Sequence, residues 1–136
     1  MKDVKEFFKD YASASLTGKA NQVAAFYAQQ FMATTKDNSA TFENDQKFIA
    51  WLNSVFEFNK KFGLQKMEVK HVDSLSIGEY FYKVTVTWET VFAKRPDEKM
   101  NFNIHYILNR VDGNFKIVLY ISEEDQEELM KSKGIL

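Results

Sequence analysis

The sequence predicts an α+β domain in which three N-terminal helices pack on a curved antiparallel sheet of four or more strands. Through the first half of the chain, apolar residues recur at the three- and four-residue spacing of amphipathic helices. From about residue 65 the pattern changes to strict alternation, which is typical of strands. A run of helices followed by a run of strands favours the α+β class. At 136 residues, we expect one domain over 1–136.

The first two helices are predicted on either side of Gly18. The first runs from Asp3 to about Ser15, and its apolar face carries Val4, Phe7, Phe8 and Tyr11. The second is short, and its buried side carries Ala20, Val23, Ala24 and Tyr27. Residues 31–44 lose the helical period and are rich in Thr, Ser, Asn and Asp, so we expect a short strand followed by a loop.

The third helix is predicted to begin at Asn44 or Asp45 and to end before Gly63. Either of the first two residues can cap a helix, and a glycine commonly ends one. Its apolar stripe comprises Phe48, Trp51, Leu52, Val55, Phe56, Phe58 and Phe62. We therefore expect this helix to be the longest and the most deeply buried.

Four alternating runs predict the strands, at 66–73, 79–94, 99–110 and 115–121, with an Asp-Gly hairpin signal at 112–113. The stretch SEED (122–125) has the spacing of a capping box and predicts a short C-terminal helix. The face that meets the helices is expected to carry Tyr80, Tyr82, Val84, Val86, Trp88, Phe102, Ile104, Tyr106, Leu108, Phe115, Ile117 and Leu119. The outer face is expected to carry Thr85, Thr87, Glu89, Asn103, His105, Ile107, Asn109, Lys116, Val118 and Tyr120.

This order of elements, headed by YASASLTGKANQVAAFYAQQF (11–31), resembles the nuclear transport factor 2-like superfamily over nearly the whole chain. The resemblance implies a cone-shaped α+β domain whose curved sheet wraps a long helix and often encloses a pocket. Members include ketosteroid isomerase, scytalone dehydratase, SnoaL-like polyketide cyclases, transport adaptors and domains of no assigned activity. The fold alone does not choose among these functions.

The resemblance also raises the question of whether this chain has the proton-transfer residues of ketosteroid isomerase. Tyr11 falls at a place similar to that of the tyrosine that donates to the oxyanion in ketosteroid isomerase. The two carboxyl groups that the isomerase also needs correspond to Thr35 and Ile104, which can neither abstract nor donate the required proton. We therefore expect no catalytic residues of this type, and we interpret Tyr11 as a core or cavity-lining ring.

The two histidines have simple interpretations. His71 and Asp73 point the same way on a strand and are similar to the histidine–aspartate pair of scytalone dehydratase-like members, but a solvated strand end explains them as well. His105 belongs to the outer row, on a different face from His71. With no carboxylate cluster nearby and no cysteine, we expect no metal site and no cofactor.

The aromatic content, with 13 Phe, 6 Tyr and 2 Trp, predicts a deep core or a ring-lined cavity. We expect a non-catalytic domain that binds a small apolar or aromatic molecule. The predicted ligand-binding residues are Tyr11, Tyr27, Trp51, Trp88 and Tyr106. Two alternatives stay open: a SnoaL-like lyase, isomerase or cyclase, and a protein-interaction domain that uses the outer sheet face.

The remaining expectations concern partners. A net charge of −1 without long runs of one sign predicts no nucleic-acid partner. No signal peptide or transmembrane run is recognisable, so we expect a cytoplasmic protein without a membrane partner. A mixed apolar and polar outer face predicts a homodimer. Its predicted interface residues are Thr85, Thr87, Ile107, Val118 and Tyr120.

Overall fold

The computed structural model describes residues 3–136 and confirms the α+β class. Met1 and Lys2 of the predicted domain lie outside the described residues. The helices are α1 (Val4–Leu16), α2 (Ala20–Ala24), α3 (Gln46–Lys61) and α4 (Gln126–Ser132). The strands are β1 (Tyr27–Thr35), β2 (Ser39–Glu43), β3 (Leu64–Ser76), β4 (Phe81–Phe92), β5 (Met100–Val111) and β6 (Asn114–Ser122). They form one six-stranded sheet in the order β2-β1-β6-β5-β4-β3.

Strands β1 and β2 correct the prediction of a purely antiparallel sheet. They form an antiparallel hairpin, and β1 runs parallel to β6. The second helix ends at Ala24, so Tyr27 begins a strand rather than belonging to the buried side of a helix. Residues four apart, such as Tyr27 and Phe31, share a face in a helix and in a strand alike. The apolar spacing therefore did not distinguish the two, and pairing with β6 decides the outcome.

A β-bulge in β6 reverses the predicted faces of its last residues. Ile117 lies opposite Leu108, whereas Leu119 lies opposite Ile107, so Val118 is the extra residue. One inserted residue turns every following side chain to the other face. Leu119 therefore lies on the outer face and Tyr120 on the inner face, opposite Tyr106, contrary to both assignments.

Helix α3 has the predicted ends but not the predicted burial. The Asp45 carboxylate accepts the backbone N–H groups of Lys47 and Phe48, and Gly63 has the left-handed φ of 72° that ends the helix. At 16 residues α3 is the longest described helix. Only Phe48 and Leu52 are buried, however, while Trp51 is 54% exposed. The prediction of the most buried helix is wrong because α1, not α3, makes the main helix contact with the sheet.

Two predictions at the ends of elements are also wrong. Tyr80, assigned to the inner face, lies in the turn before β4 and is 55% exposed. The cap of α4 is Asp125, not Ser122, and its carboxylate accepts the N–H groups of Glu127 and Glu128. None of the helices over residues 3–136 is long and apolar enough to cross a membrane.

Candidate functional site

Five aromatic side chains with polar tips meet inside the fold, and we call them the tyrosine cluster: Tyr11, Tyr27, Trp88, Tyr106 and Tyr120. The hydroxyl oxygens of Tyr11 and Tyr27 lie 2.8 Å apart and share a hydrogen bond. Trp88 Nε1 donates to the Tyr106 hydroxyl at 3.2 Å. The rings of Tyr11 and Tyr106 lie 6.4 Å apart between centroids, and those of Tyr106 and Tyr120 lie 5.7 Å apart. The hydroxyl and indole N–H groups of five elements thus lie in one region; the elements are α1, β1, β4, β5 and β6.

Burial keeps these hydroxyls neutral. Desolvation is the main cause that raises the pKa of Tyr11, and the hydrogen bond from Tyr27 only partly opposes it. Desolvation likewise raises the pKa values of Tyr27, Tyr106 and Tyr120 above the ordinary value. The cluster is therefore uncharged throughout the physiological range, and it can donate hydrogen bonds but cannot act as a base.

The cluster is closed in this conformation. Phe8 fills the space between its members, with its ring centroid 4.6 Å from that of Tyr106 and 6.2 Å from that of Trp88. Within residues 3–136, no buried side-chain nitrogen or oxygen lacks a hydrogen-bond partner. Tyr11 and Tyr27 pair with each other, Tyr106 pairs with Trp88, and Tyr120 pairs with Ser122 and Gln126. This interior is therefore packed by side chains.

Four of the five predicted ligand-binding residues therefore lie together, and the fifth does not. Trp51 lies on the exposed side of α3, where its ring stacks on that of Phe48 at 6.2 Å. It also contacts Phe42 of β2, 6.4 Å away between ring centroids. Trp51 is therefore separate from the other four, because the apolar stripe of α3 is wider than the part that the sheet covers. Its predicted contact with a ligand stays a prediction.

The positions compared with ketosteroid isomerase carry no proton-transfer group. Thr35 ends β1 at the surface, and its hydroxyl accepts the backbone N–H of Asn38 in the following turn. Ile104 is buried in the core. Besides desolvation, the tyrosine pKa values are shifted by other tyrosines and by Trp88, Ser122 and Gln126. Among the described residues, no carboxylate contributes to these shifts.

The histidines lie on the outer face of the sheet, both on the same side. His71 lies opposite Thr87, and His105 lies opposite Thr85. Asp73 lies opposite Thr85 on its other side. Thr85 and Thr87 are on the same face, so the prediction that the two histidines lie on different faces is wrong. A register shift between Val69 and His71 is the cause. His71 Nε2 is 3.1 Å from Asp73 Oδ1, and both side chains are largely exposed, as expected of a solvated strand end. In residues 3–136, no three His, Asp or Glu side chains come together as a metal site would require.

An opening lies between α1 and α3, and we call it the α1–α3 groove. It has a volume of about 480 Å³. Its lining residues are Ser15, Leu16, Thr17, Gly18, Asn53, Phe56, Glu57, Asn59, Lys60 and Leu64. Ser15 follows Tyr11 by one turn of α1, so the groove begins one helical turn from the cluster. The sequence pattern does not predict this groove, because the α3 residues that line it are mostly polar and are typical of a solvated face.

Comparison with known proteins agrees with this fold. The profile of the family described as NTF2-like protein (DUF6841) matches residues 2–125. No protein with curated annotation matches the chain. An NTF2-like protein of unknown function from Shewanella oneidensis is similar in structure, with a TM-score of 0.65 at 16% identity over 88% of this chain and 94% of the other.

Two further solved structures extend the comparison. A domain of unknown function with a cystatin-like fold, from Nostoc punctiforme, has a TM-score of 0.67 at 14% identity over 98% of this chain and 84% of its own. A scytalone dehydratase-like protein from Novosphingobium aromaticivorans has a TM-score of 0.66 at 10% identity over 87% of this chain and 78% of its own. At these identities the likeness shows a shared fold alone.

Proposed function

The chain belongs to the NTF2-like family DUF6841, and from that premise we propose that it is a non-catalytic domain that binds a small molecule. The observation that supports this proposal is the α1–α3 groove. Its volume of about 480 Å³ falls within the range of roughly 300–1,000 Å³ that is typical of small-molecule sites.

The lining of the groove suits a ligand with an apolar body. Leu16, Phe56 and Leu64 supply apolar surface, and the half-buried Phe56 ring offers a face on which a flat molecule can stack. Ser15 and Asn53 add polar groups that can orient the ligand. A small apolar or aromatic molecule is therefore the expected occupant.

Direct contact of the ligand with Tyr11, Tyr27, Trp88 and Tyr106 stays a prediction. Their rings fill the interior in this conformation, so a ligand would reach them only if α1 or α3 moved. The neutral hydroxyls would then favour an uncharged hydrogen-bonding group over an ion.

The alternative of a SnoaL-like enzyme has weaker support from the geometry. An acid or base with a matched pKa is needed for such chemistry. The ionisable side chains of the groove, Glu57 and Lys60, are exposed to water. Turnover of a small cyclic ketone or alcohol by the purified protein, lost on Glu57→Gln, would favour the enzyme instead.

The proposal can be tested by ligand-observed NMR with a library of small neutral aromatic molecules. Leu16→Trp places a large ring in the groove at a position that is 39% exposed, so the fold should tolerate it. Met32→Trp is the matched control, since Met32 is 40% exposed and lies on β1, away from the groove. We expect saturation transfer to the bound molecules to be lost in Leu16→Trp and kept in Met32→Trp. Equal binding by both variants would contradict a site in the groove.

We also propose a homodimer formed through the outer face of the sheet. Thr85, Thr87, Ile107 and Val118 remain its proposed residues, whereas Tyr120 is removed because the bulge turns it inward. Leu75, Phe81 and Val111 support this proposal. They are large, exposed and on the same face as Ile107 at one end of the sheet. Exposed apolar patches of this kind commonly mark partner surfaces.

A further inference from the structure

A second cavity adjoins the α1–α3 groove, and we call it the Lys19 recess. Its volume is about 380 Å³. Its lining residues are Gly18, Lys19, Ala20, Asn21, Gln22, Ile49 and Asn53. Gly18 and Asn53 line the recess and the groove alike, so the two cavities meet at the turn between α1 and α2.

The turn at Gly18 lies between the two cavities. Gly18 has a φ of 69°, which favours glycine, and a Cβ placed there would lie 3.8 Å from Cβ of Phe56. The turn therefore passes close to α3 at the point where the two cavities share lining residues. Ile49 lines the recess and Lys60 lines the groove, which corresponds to a length of about 16 Å along α3. The combined site is longer than one aromatic ring.

The two cavities differ in charge. The groove holds one carboxylate and one ammonium group, Glu57 and Lys60, so its charges balance. Lys19 is the single charged side chain that lines the recess, and Asn21, Gln22 and Asn53 add amide donors around it. Among the residues that the structure describes, Lys19 has no ion-pair partner. The recess is thus an electropositive, donor-rich end of an otherwise balanced and partly apolar site.

We infer that the ligand of the combined site is a carboxylic acid with an apolar body, its body in the α1–α3 groove and its carboxylate against Lys19 in the recess. This inference rests on the proposed small-molecule function and adds the chemical class and the orientation of the ligand. A carboxylate accepts charge-assisted hydrogen bonds from an ammonium group and from amide N–H groups. Phe56 and Leu64 provide the surface that its apolar body needs.

The test compares 3-phenylpropionate with 3-phenylpropionamide, which share a body and differ in the charge of the head group. Affinities are measured by isothermal titration calorimetry at low salt, with thermal melts to confirm that each variant is folded. Because Lys19 is exposed, we expect the acid to bind about threefold to fivefold more tightly than the amide. This preference should shrink in 0.5 M salt, which screens exposed charges.

Variants then assign the preference to one side chain. Lys19→Gln should remove the preference for the acid, and Lys19→Arg should keep it. Lys36→Gln is the matched control, since Lys36 is an exposed lysine in the turn after β1 and lines neither cavity. It should leave both affinities unchanged.

The two possible failures are distinguishable. Equal affinity for acid and amide, or an acid preference that survives Lys19→Gln, would overturn the head-group inference while the groove still binds a small molecule. If Leu16→Trp affects the binding of neither compound, the proposed function in the groove itself fails.

Discussion

Replacing Tyr27 by Phe tests whether the tyrosine cluster is held together by its own hydrogen bonds. The Tyr11 and Tyr27 hydroxyl oxygens lie 2.8 Å apart, and the two side chains are 8% and 6% exposed. Removing one hydroxyl leaves the other buried without a partner, which costs about 1–3 kcal/mol. Tyr27→Phe should therefore lower the free energy of unfolding by that amount, and the melting temperature by about 3–5 °C for each kcal/mol.

A double-mutant cycle sharpens this prediction. Tyr11→Phe should cost a similar amount, but the double variant should cost less than the sum of the two, because no unpaired hydroxyl is left. We expect a coupling of about 1 kcal/mol or more, measured by urea unfolding followed by tryptophan fluorescence. Tyr80→Phe is the control, since Tyr80 is 55% exposed; it should change stability by less than about 0.5 kcal/mol. Additive costs in the cycle would show that the two hydroxyls are not energetically linked.

Three further predictions concern pH, assembly and fluorescence. The pKa values of the four cluster tyrosines are raised in the folded protein, so above about pH 10 the unfolded chain releases protons that the folded protein keeps. The free energy of unfolding should therefore be unaffected by the titration of these tyrosines below about pH 10 and should fall above it. A melting temperature that stays constant up to about pH 12 would contradict this. Ile107→Lys should convert the proposed dimer into a monomer by light scattering at micromolar concentration, whereas Lys36→Glu, in the exposed turn after β1, should not; an unchanged mass for Ile107→Lys would count against the interface. Trp51→Phe should shift the emission to shorter wavelength, since it leaves only Trp88, which is 1% exposed; a shift to longer wavelength would show that the assignment of the exposed and buried tryptophans is wrong.

The parts of the fold that local chemistry determines could be predicted from the sequence. Asp45 and Gly63 mark both ends of α3, because a carboxylate cap and a left-handed glycine act on the backbone beside them. The ends of strands β3 to β6 lie within three residues of the ends of the alternating runs, since alternation is typical of a sheet with one buried face.

The features that failed depend on distant partners. Strand β1 begins four residues before the predicted short strand, at Tyr27, which pairs with Ile117 of β6, ninety residues away in the chain. The alternating pattern does not predict the bulge at Val118. Because of this bulge, Tyr120 lies in the cluster and not on the outer face as predicted. The relative placement of α1 and α3, which creates the groove, is likewise a result of packing. Candidate core residues were therefore predictable, whereas the cavity beside them was not.

The most direct test of the central claim, a small-molecule site in the α1–α3 groove, is a ¹H–¹⁵N NMR titration of the isotopically labelled protein with 3-phenylpropionamide. This neutral probe tests the groove whether or not Lys19 receives a carboxylate. We expect saturable shifts at the backbone amides of residues 15–18, 53, 56, 57, 59 and 60, which line the groove. Amides of the outer sheet face, such as those of Thr85 and Ile107, should stay in place. Shifts confined to that outer face, or no saturable shift at millimolar probe, would contradict the account.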